Sequence, residues 1–406
     1  MTLPGEILFL VHRIPFPPDR GDKIRSCHIL KALAQIAPVH VGCFADDARD
    51  RSFAGAMAQF TASQCVVMRD RPKPVAGAMG LLRHQPMLVA LYDNARLHGW
   101  VRELLATRPI RAIVAYSVQM AHFVPRDLSP DIRFIMDFVD FDSAKYAAYG
   151  AGQSGLMDWI NRREGRMLLE LERQVARRAD ISTFVSAAEV ELFVRTAEVA
   201  DRDIRALENG VDLSYFNAQS NFPPIVYQHR PLLVFTGQMD YRPNIEAVES
   251  FARTALPVIR AVHPEATFAI VGRNPAPQVR ALGALPGVVV TGAVDDVRGW
   301  LAAADVVVAP LRIARGVQNK VLEAMAMGRP VVASMQAAQG IDADNGAHLM
   351  IADTPENEAQ AVLALLADPA GAAALGRAAR ARVEARYDWA TTLAPLRAML
   401  TAESAS

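Results

Sequence analysis

Short, uninterrupted apolar runs alternate with longer helical patterns along this chain, and they do so in two successive series. The first run is Glu6-Ile-Leu-Phe-Leu-Val11. A continuous apolar stretch of that length reads as a strand buried on both faces, which is the mark of a parallel sheet. The loop 12–22 follows, rich in Pro, Gly and Asp. Residues 22–36 then place Ile24, Cys27, His28, Leu30 and Ala34 near helical spacing, and Val39–Phe44 reads as a second strand. Strands are also expected at Ile110–Tyr116, Arg133–Met136 and Ile181–Val185, with a long helix over 156–178. Ser186 with Glu189 three residues later forms a capping box that opens another helix.

The second series starts beyond residues 218–231, a Pro-rich polar stretch that reads as a linker or an insertion beside one. Strands are expected at Leu232–Thr236, Thr267–Val271, Val288–Thr291, Asp305–Pro310 and Val331–Ser334. Helices are expected at Asn244–Val262, Val297–Ala303, Gln318–Met327, 357–367 and 371–386. Strand and helix alternating twice over define an α/β chain with two doubly wound domains. With 406 residues, two units are also what core size favours. In such sheets ligands bind beyond the carboxyl ends of the strands, so a gap between the two domains is the expected site.

Composition removes several classes. Basic and acidic residues number 43 each, so bulk nucleic-acid binding is excluded. The three cysteines, Cys27, Cys43 and Cys65, form no C-x-x-C pair, which argues against a disulfide framework or a structural zinc site. The apolar run at the N-terminus is too short for a signal peptide, and no stretch approaches the ~20 apolar residues of a membrane span. The expected location is cytoplasmic, with any membrane contact peripheral, at the inner membrane surface. There is no P-loop, no G-x-G-x-x-G after the first strand, no G-x-S-x-G and no H-E-x-x-H. Asp342-Ala-Asp344 spells D-x-D, but a polar, Gly-flanked loop explains it better than a metal site, so no metal is expected.

The stretch 306–332, V-V-V-A-P-L-R-I-A-R-G-V-Q-N-K-V-L-E-A-M-A-M-G-R-P-V-V, carries the most chemistry. It reads as strand, loop, helix, glycine stop and strand. The loop delivers the chain to a helix N-terminus near Val317–Gln318, where unpaired backbone N–H groups and the helix dipole favour an anion. Gly316 lets backbone approach closely, and Lys320 adds a point charge one turn in. Glu323 shares a helical face with Lys320 and Asn319 and could accept hydrogen bonds from a diol. Only five lysines stand against 38 arginines, and Lys320 is the only one after residue 145. An Arg-biased chain that keeps a lysine here suggests a need for a compact ammonium. The alternative is an exposed helix residue paired with Glu323.

The run V-L-E-A-M-A-x-G-x-P-V-V after such a strand resembles the donor-site signature of family 4 glycosyltransferases of the GT-B fold. P-F-P-P-D-R-G-D-K-I-R (15–25), E-N-G-V-D (208–212), F-T-G-Q-M-D-Y-R-P-N (235–244) and A-R-Y-D-W (385–389) resemble other pieces of the same family. The pattern is similar to the sugar transferases associated with exosortase/PEP-CTERM exopolysaccharide loci, whose loop also reads R-I-A-R-G-x-Q-N-K. The resemblance implies two Rossmann-like domains facing across a cleft. It divides the chain into an acceptor-side domain (1–205, closed by a C-terminal helix 387–402) and a donor domain (206–386).

The resemblance also assigns roles. Lys320 would hold the diphosphate and Glu323 the ribose hydroxyls. Gly21 would bring its backbone N–H to the donor phosphates or the transferred sugar, Gly237 and Gln238 would line the phosphate end, and Val317, Gln318 and Asn319 would frame the diphosphate. The segment Gly292–Val297, with Val294 in it, would meet the nucleobase through its backbone. Arg315 stands eight residues before Glu323, where the family has a glutamate, so a cation replaces an acid beside the donor sugar. Acceptor-side candidates are Asp22, Arg25, His122, Asp140 and Asp142. Asp140 and Asp142 would share one face of an extended segment, with turn capping as the alternative.

The activity implied is sugar transfer from a nucleotide diphosphate sugar, with retention, to a saccharide or polyprenyl-linked saccharide acceptor. No cofactor is implied beyond that co-substrate. A GT-B epimerase and a non-catalytic nucleotide-sugar binding subunit are the alternatives.

Overall fold

The computed structural model describes residues 4–149, 156–225, 227–314 and 316–401. The chain divides into two compact units, Met1–Glu208 with Leu393–Ser406, and Asn209–Thr392. In the first, strands β1 (Glu6–Val11), β2 (Val39–Ala45), β3 (Ser63–Met68), β4 (Ile110–Tyr116), β5 (Arg133–Val139), β6 (Ile181–Phe184) and β7 (Ile204–Ala206) form one sheet. Its spatial order is β3-β2-β1-β4-β5-β6-β7. In the second, β8 (Leu232–Thr236), β9 (Thr267–Val271), β10 (Val288–Gly292), β11 (Val306–Ala309), β12 (Val331–Ala333) and β13 (Met350–Ile351) form the order β10-β9-β8-β11-β12-β13. All the pairings within both sheets are parallel.

The two orders share a logic. Each sheet begins in the middle, at β1 or β8, runs outward to one edge, then returns to the other side of its first strand. In sheets of this kind ligands bind at that reversal, beyond the carboxyl ends of β1 and β4 in one unit and of β8 and β11 in the other. Leu8 to Val11 and Leu232 to Phe235 have no exposed surface, as continuous apolar strands of a two-sided sheet require.

Proline sets two helix boundaries that periodicity missed. Asn244–Val262 reads as one helix but forms two, Arg242–Arg253 and Ala255–Val262, broken at Thr254. Pro257 has no N–H to offer the Arg253 carbonyl, and its ring would clash there in a continuous helix. The C-terminal helix expected over 387–402 is likewise split into Trp389–Thr392 and Ala394–Thr401, ahead of Pro395. The helix Ala394–Thr401 belongs to the first unit and packs on β5. The Pro-rich stretch 218–231 lies inside the second unit, and the division comes earlier, between Glu208 and Asn209.

The helix Leu156–Arg178 forms as expected, and two of its glutamates turn inward. Glu164 and Glu172 are buried. Glu164 accepts from the Met87 N–H at the start of the helix Met87–Tyr92, and Glu172 accepts from the Ser143 N–H. Both carboxyl groups thus satisfy orphan donors at helix N-termini. Burial pushes Glu172 up to about 8. A carboxyl whose folded value exceeds its unfolded one costs stability as pH rises from the unfolded value toward the folded one. Glu172→Gln is therefore expected to stabilise the protein at pH 8 by about 2–4 kcal/mol, and hardly at all at pH 4. Denaturant melts at the two pH values check this; an equal effect at both would point to packing alone.

Candidate functional site

In the second unit the chain leaves β8 at Gly237 and leaves β11 into the loop that reaches the helix Asn319–Ala326. This is the reversal point of the sheet. The helix buries Val321, Leu322, Ala324 and Met325 against the core. Its other face carries Lys320 and Glu323, both half-buried. Gln318 is the capping residue, but no side chain caps the N-terminus. The Gln318 side chain instead donates to the Gly316 carbonyl (3.1 Å). Gly316 has φ +64°, a conformation that few residues other than glycine adopt without cost. The Asn319 Oδ1 is buried and accepts no hydrogen bond. Val317 is buried, Val294 packs partly against the core, and Gln238 is exposed. Arg315 lies outside the described residues.

The Lys320 ammonium is held from two sides. Its Nζ donates to Asn244 Oδ1 (2.5 Å) and stands 4.3 Å from the centre of the Phe235 ring. Gly237 makes the space: a Cβ there would lie 2.8 Å from Asn244 Nδ2 and 3.2 Å from Lys320 Nζ. Asn244 is itself fixed, because its Nδ2 donates to the Gln238 carbonyl (2.8 Å). The neighbouring strand end also requires glycine. A Cβ on Gly272, after β9, would fall 1.6 Å from the Gly237 carbonyl oxygen. The backbones of the two strand ends therefore touch directly beside the lysine.

Electrostatics make this an unusual pair. Burial pushes Lys320 down to about 7, with Glu323 opposing. Burial pushes Glu323 up to about 7, with Lys320 opposing. An ammonium held at the edge of deprotonation, over an aromatic face, gains most when an anion arrives. The structure brings together Gly237, Lys320 and Glu323 of the sequence candidates. Asn244 and Phe235 complete the site, and neither was singled out by sequence. Asp342 of the D-x-D sequence is engaged by Arg382 and Arg386, and Asp344 sits near His348, which fits the loop explanation.

The first-unit candidates separate into different surroundings. Gly21 opens the helix Gly21–Ala34 and is exposed, with open space where its Cβ would be. Asp22 follows in the first turn, beside the end of β1. It accepts from Arg13 Nη1 (2.6 Å) and lies 3.3 Å from His12 Nε2. Burial acts to raise its carboxyl, but His12 and Arg13 hold it well below the usual range. His12 stacks on Tyr116, whose hydroxyl donates to the Asp22 carbonyl (3.0 Å).

Arg25 does not face an acceptor. It is fully buried and forms a two-pronged pair with Asp137 (2.9 and 3.2 Å). Lys23, two residues earlier on the same helix, is buried against Asp50 (2.7 Å). Asp140 and Asp142 do not share an extended segment either. β5 ends at Val139 with φ +72°, and Asp142 already begins the helix Asp142–Tyr149. Lys145, not singled out by sequence, gathers both carboxylates (2.6 and 3.2 Å). His122 lies on a short 3-10 helix beside Asp93, His98 and Phe123, and burial pushes it down to about 4.

Two doubly wound units with parallel sheets of this order are the fold of the GT-B glycosyltransferases. Residues 230–368, within the second unit, match the family described as Glycosyl transferases group 1. The chain is 30% identical over 179 residues to a phosphatidyl-myo-inositol mannosyltransferase of Propionibacterium freudenreichii subsp. shermanii. That stretch covers 42% of this chain and 43% of the mannosyltransferase, so the match spans less than half of the curated relative. Among solved structures, Anabaena HepE in complex with UDP superposes with a TM-score of 0.67 at 17% identity, covering 98% of this chain and 100% of that one. The sucrose-phosphate synthase of Thermosynechococcus elongatus superposes with a TM-score of 0.66 at 17% identity, covering 97% of each chain. At such identities these likenesses establish the fold. Among the described residues no single helix is long and apolar enough to cross a membrane.

Proposed function

We propose that this chain is a retaining glycosyltransferase that moves a sugar from a nucleoside diphosphate sugar to a saccharide acceptor. The observation that carries the reading is the Lys320 ammonium, held by Asn244 in the space left by Gly237, at the reversal point of the second sheet. When the sugar departs, negative charge develops on the diphosphate. In this reading Lys320 and the N-terminus of the helix Asn319–Ala326 would stabilise it, in surroundings where charge interactions are strong. Glu323 would accept two hydroxyl hydrogen bonds from the ribose. In this reading Lys320 and the helix supply the positive charge, so the transfer needs no metal or other cofactor.

The likeness to HepE, solved with UDP, supports a uridine or related nucleotide. The name of the mannosyltransferase relative supports a lipid-borne acceptor. A polyprenyl-linked saccharide in exopolysaccharide assembly of the exosortase/PEP-CTERM kind, with peripheral contact at the inner membrane, is the setting that the 312–320 loop favours.

A thermal-shift screen over nucleoside diphosphates and their sugars comes first, since a ligand that binds the folded state raises its stability by mass action. Labelled donors that shift the melting temperature are then incubated with a polyprenyl-linked saccharide extract. Label moving into the lipid fraction is the expected result. Binding without transfer to any acceptor across the donor panel would replace this reading with a nucleotide-sugar binding subunit.

A further inference from the structure

In the first unit, Asp93, His98 and His122 come together from three separate elements. Asp93 stands just before the helix Ala95–Thr107, His98 lies on that helix, and His122 is on the 3-10 helix Val118–Phe123. One ligand atom from each residue lies within 4.8 Å of the other two. Asp93 Oδ1 is 3.4 Å from His98 Nε2 and 3.9 Å from His122 Nε2. Ligand atoms about 2.0–2.1 Å from a tetrahedral zinc ion lie about 3.3 Å apart, so a small contraction would close the triangle around an ion.

The ring orientation is already fixed. His122 Nδ1 bonds the Gln119 carbonyl, which can only accept, so that nitrogen carries the proton. The lone pair is therefore on Nε2, which is buried without a hydrogen-bond partner and faces Asp93 and His98. A ligating histidine whose other nitrogen is anchored to a backbone carbonyl is the usual outer support of a metal site. Asp93 is anchored likewise: its Oδ2 accepts from Arg83 Nη1 (3.1 Å), which leaves Oδ1 for the histidines. Beside the triad opens a cavity of about 1070 Å³, also lined by Arg102 and Asp127.

We infer that Asp93, His98 and His122 form a three-ligand site for a divalent transition metal of the zinc class, with the fourth position open to the cavity. Two imidazoles and one carboxylate suit zinc or a neighbouring late transition ion and do not suit magnesium or calcium. The competing explanation is an ionic cluster in which Asp93 serves only Arg83, Arg71 and the His98 ring.

The test uses full-length protein stripped with a chelator and titrated with Zn²⁺, and with Co²⁺ as a spectroscopic probe. One equivalent per chain is expected, with Co²⁺ giving the visible absorption of a low-coordinate site. His98→Ala and His122→Ala should each weaken binding by ~100-fold or more, at or beyond the upper end of what loss of an outer support costs. Asp93→Asn keeps the shape of the cluster and should also lose the Co²⁺ spectrum, which guards against variants that fail to fold. Wild-type stoichiometry retained in the His98→Ala/His122→Ala double variant, or no binding by the wild-type protein, would overturn the assignment.

Discussion

Lys320→Met should eliminate the thermal shift produced by UDP or GDP and lower their affinity by about 100-fold, while leaving the unliganded protein as stable as before or more so. The size follows from charge-assisted hydrogen bonds to a diphosphate at ~1.5–3 kcal/mol each, of which an ammonium makes one or two. The direction of the stability change separates a binding role from a structural one. Burial already pushes Lys320 down to about 7, so charging it in the empty protein costs free energy. Methionine keeps the stem over Phe235 and removes that cost, the usual trade between stability and activity. A variant that melts lower yet still responds fully to nucleotide would reverse the assignment.

The same pair sets a pH dependence. Bound diphosphate would raise Lys320, so affinity is full below about 7 and falls as pH rises toward the value in the complex. Hydroxyl donors bound to Glu323 would lower it, so affinity falls as pH drops below about 7. Binding measured calorimetrically should peak near neutrality, and the alkaline limb should vanish in Lys320→Met.

Asp137→Ala should destabilise the first unit by about 3–5 kcal/mol, because it leaves the buried Arg25 charge without its partner. Asp137 also accepts from the Thr183 hydroxyl (3.1 Å) and from the Val139 N–H (3.2 Å). It thus ties the helix Gly21–Ala34, β5 and β6 together. Replacing both partners by apolar residues, as in Arg25→Met with Asp137→Leu, should recover much of the loss, since no charge is then stranded. Denaturant melts of the three proteins provide the comparison. A loss under 1 kcal/mol in Asp137→Ala would show that water or another group solvates Arg25.

Strand positions were readable wherever both faces are buried. Ile110–Tyr116, Leu232–Thr236 and Thr267–Val271 form over the residues expected, since a buried parallel strand is a continuous apolar run bounded by polar turns. The helix breaks at Thr254 and Leu393 were missed because a periodic apolar pattern crosses both, and only the prolines just beyond signal them. Lys320 was readable because it departs from the composition around it. Its partner Asn244 was not, since 76 residues separate them.

Composition and apolar periodicity alone determined two parallel α/β units, and the local pattern placed a helix start after β11. These properties depend on neighbours in the chain. Which charges are free to act was decided only by tertiary structure. Arg25 read as an available cation, yet Asp137 neutralises it from 112 residues away, as Asp50 does Lys23 from 27 residues away. Lys320 makes its hydrogen bond to an amide and lies over a ring, with Glu323 acting on it only through its charge. The cost of burying a charge depends on what folding brings beside it, and sequence order does not specify that neighbour.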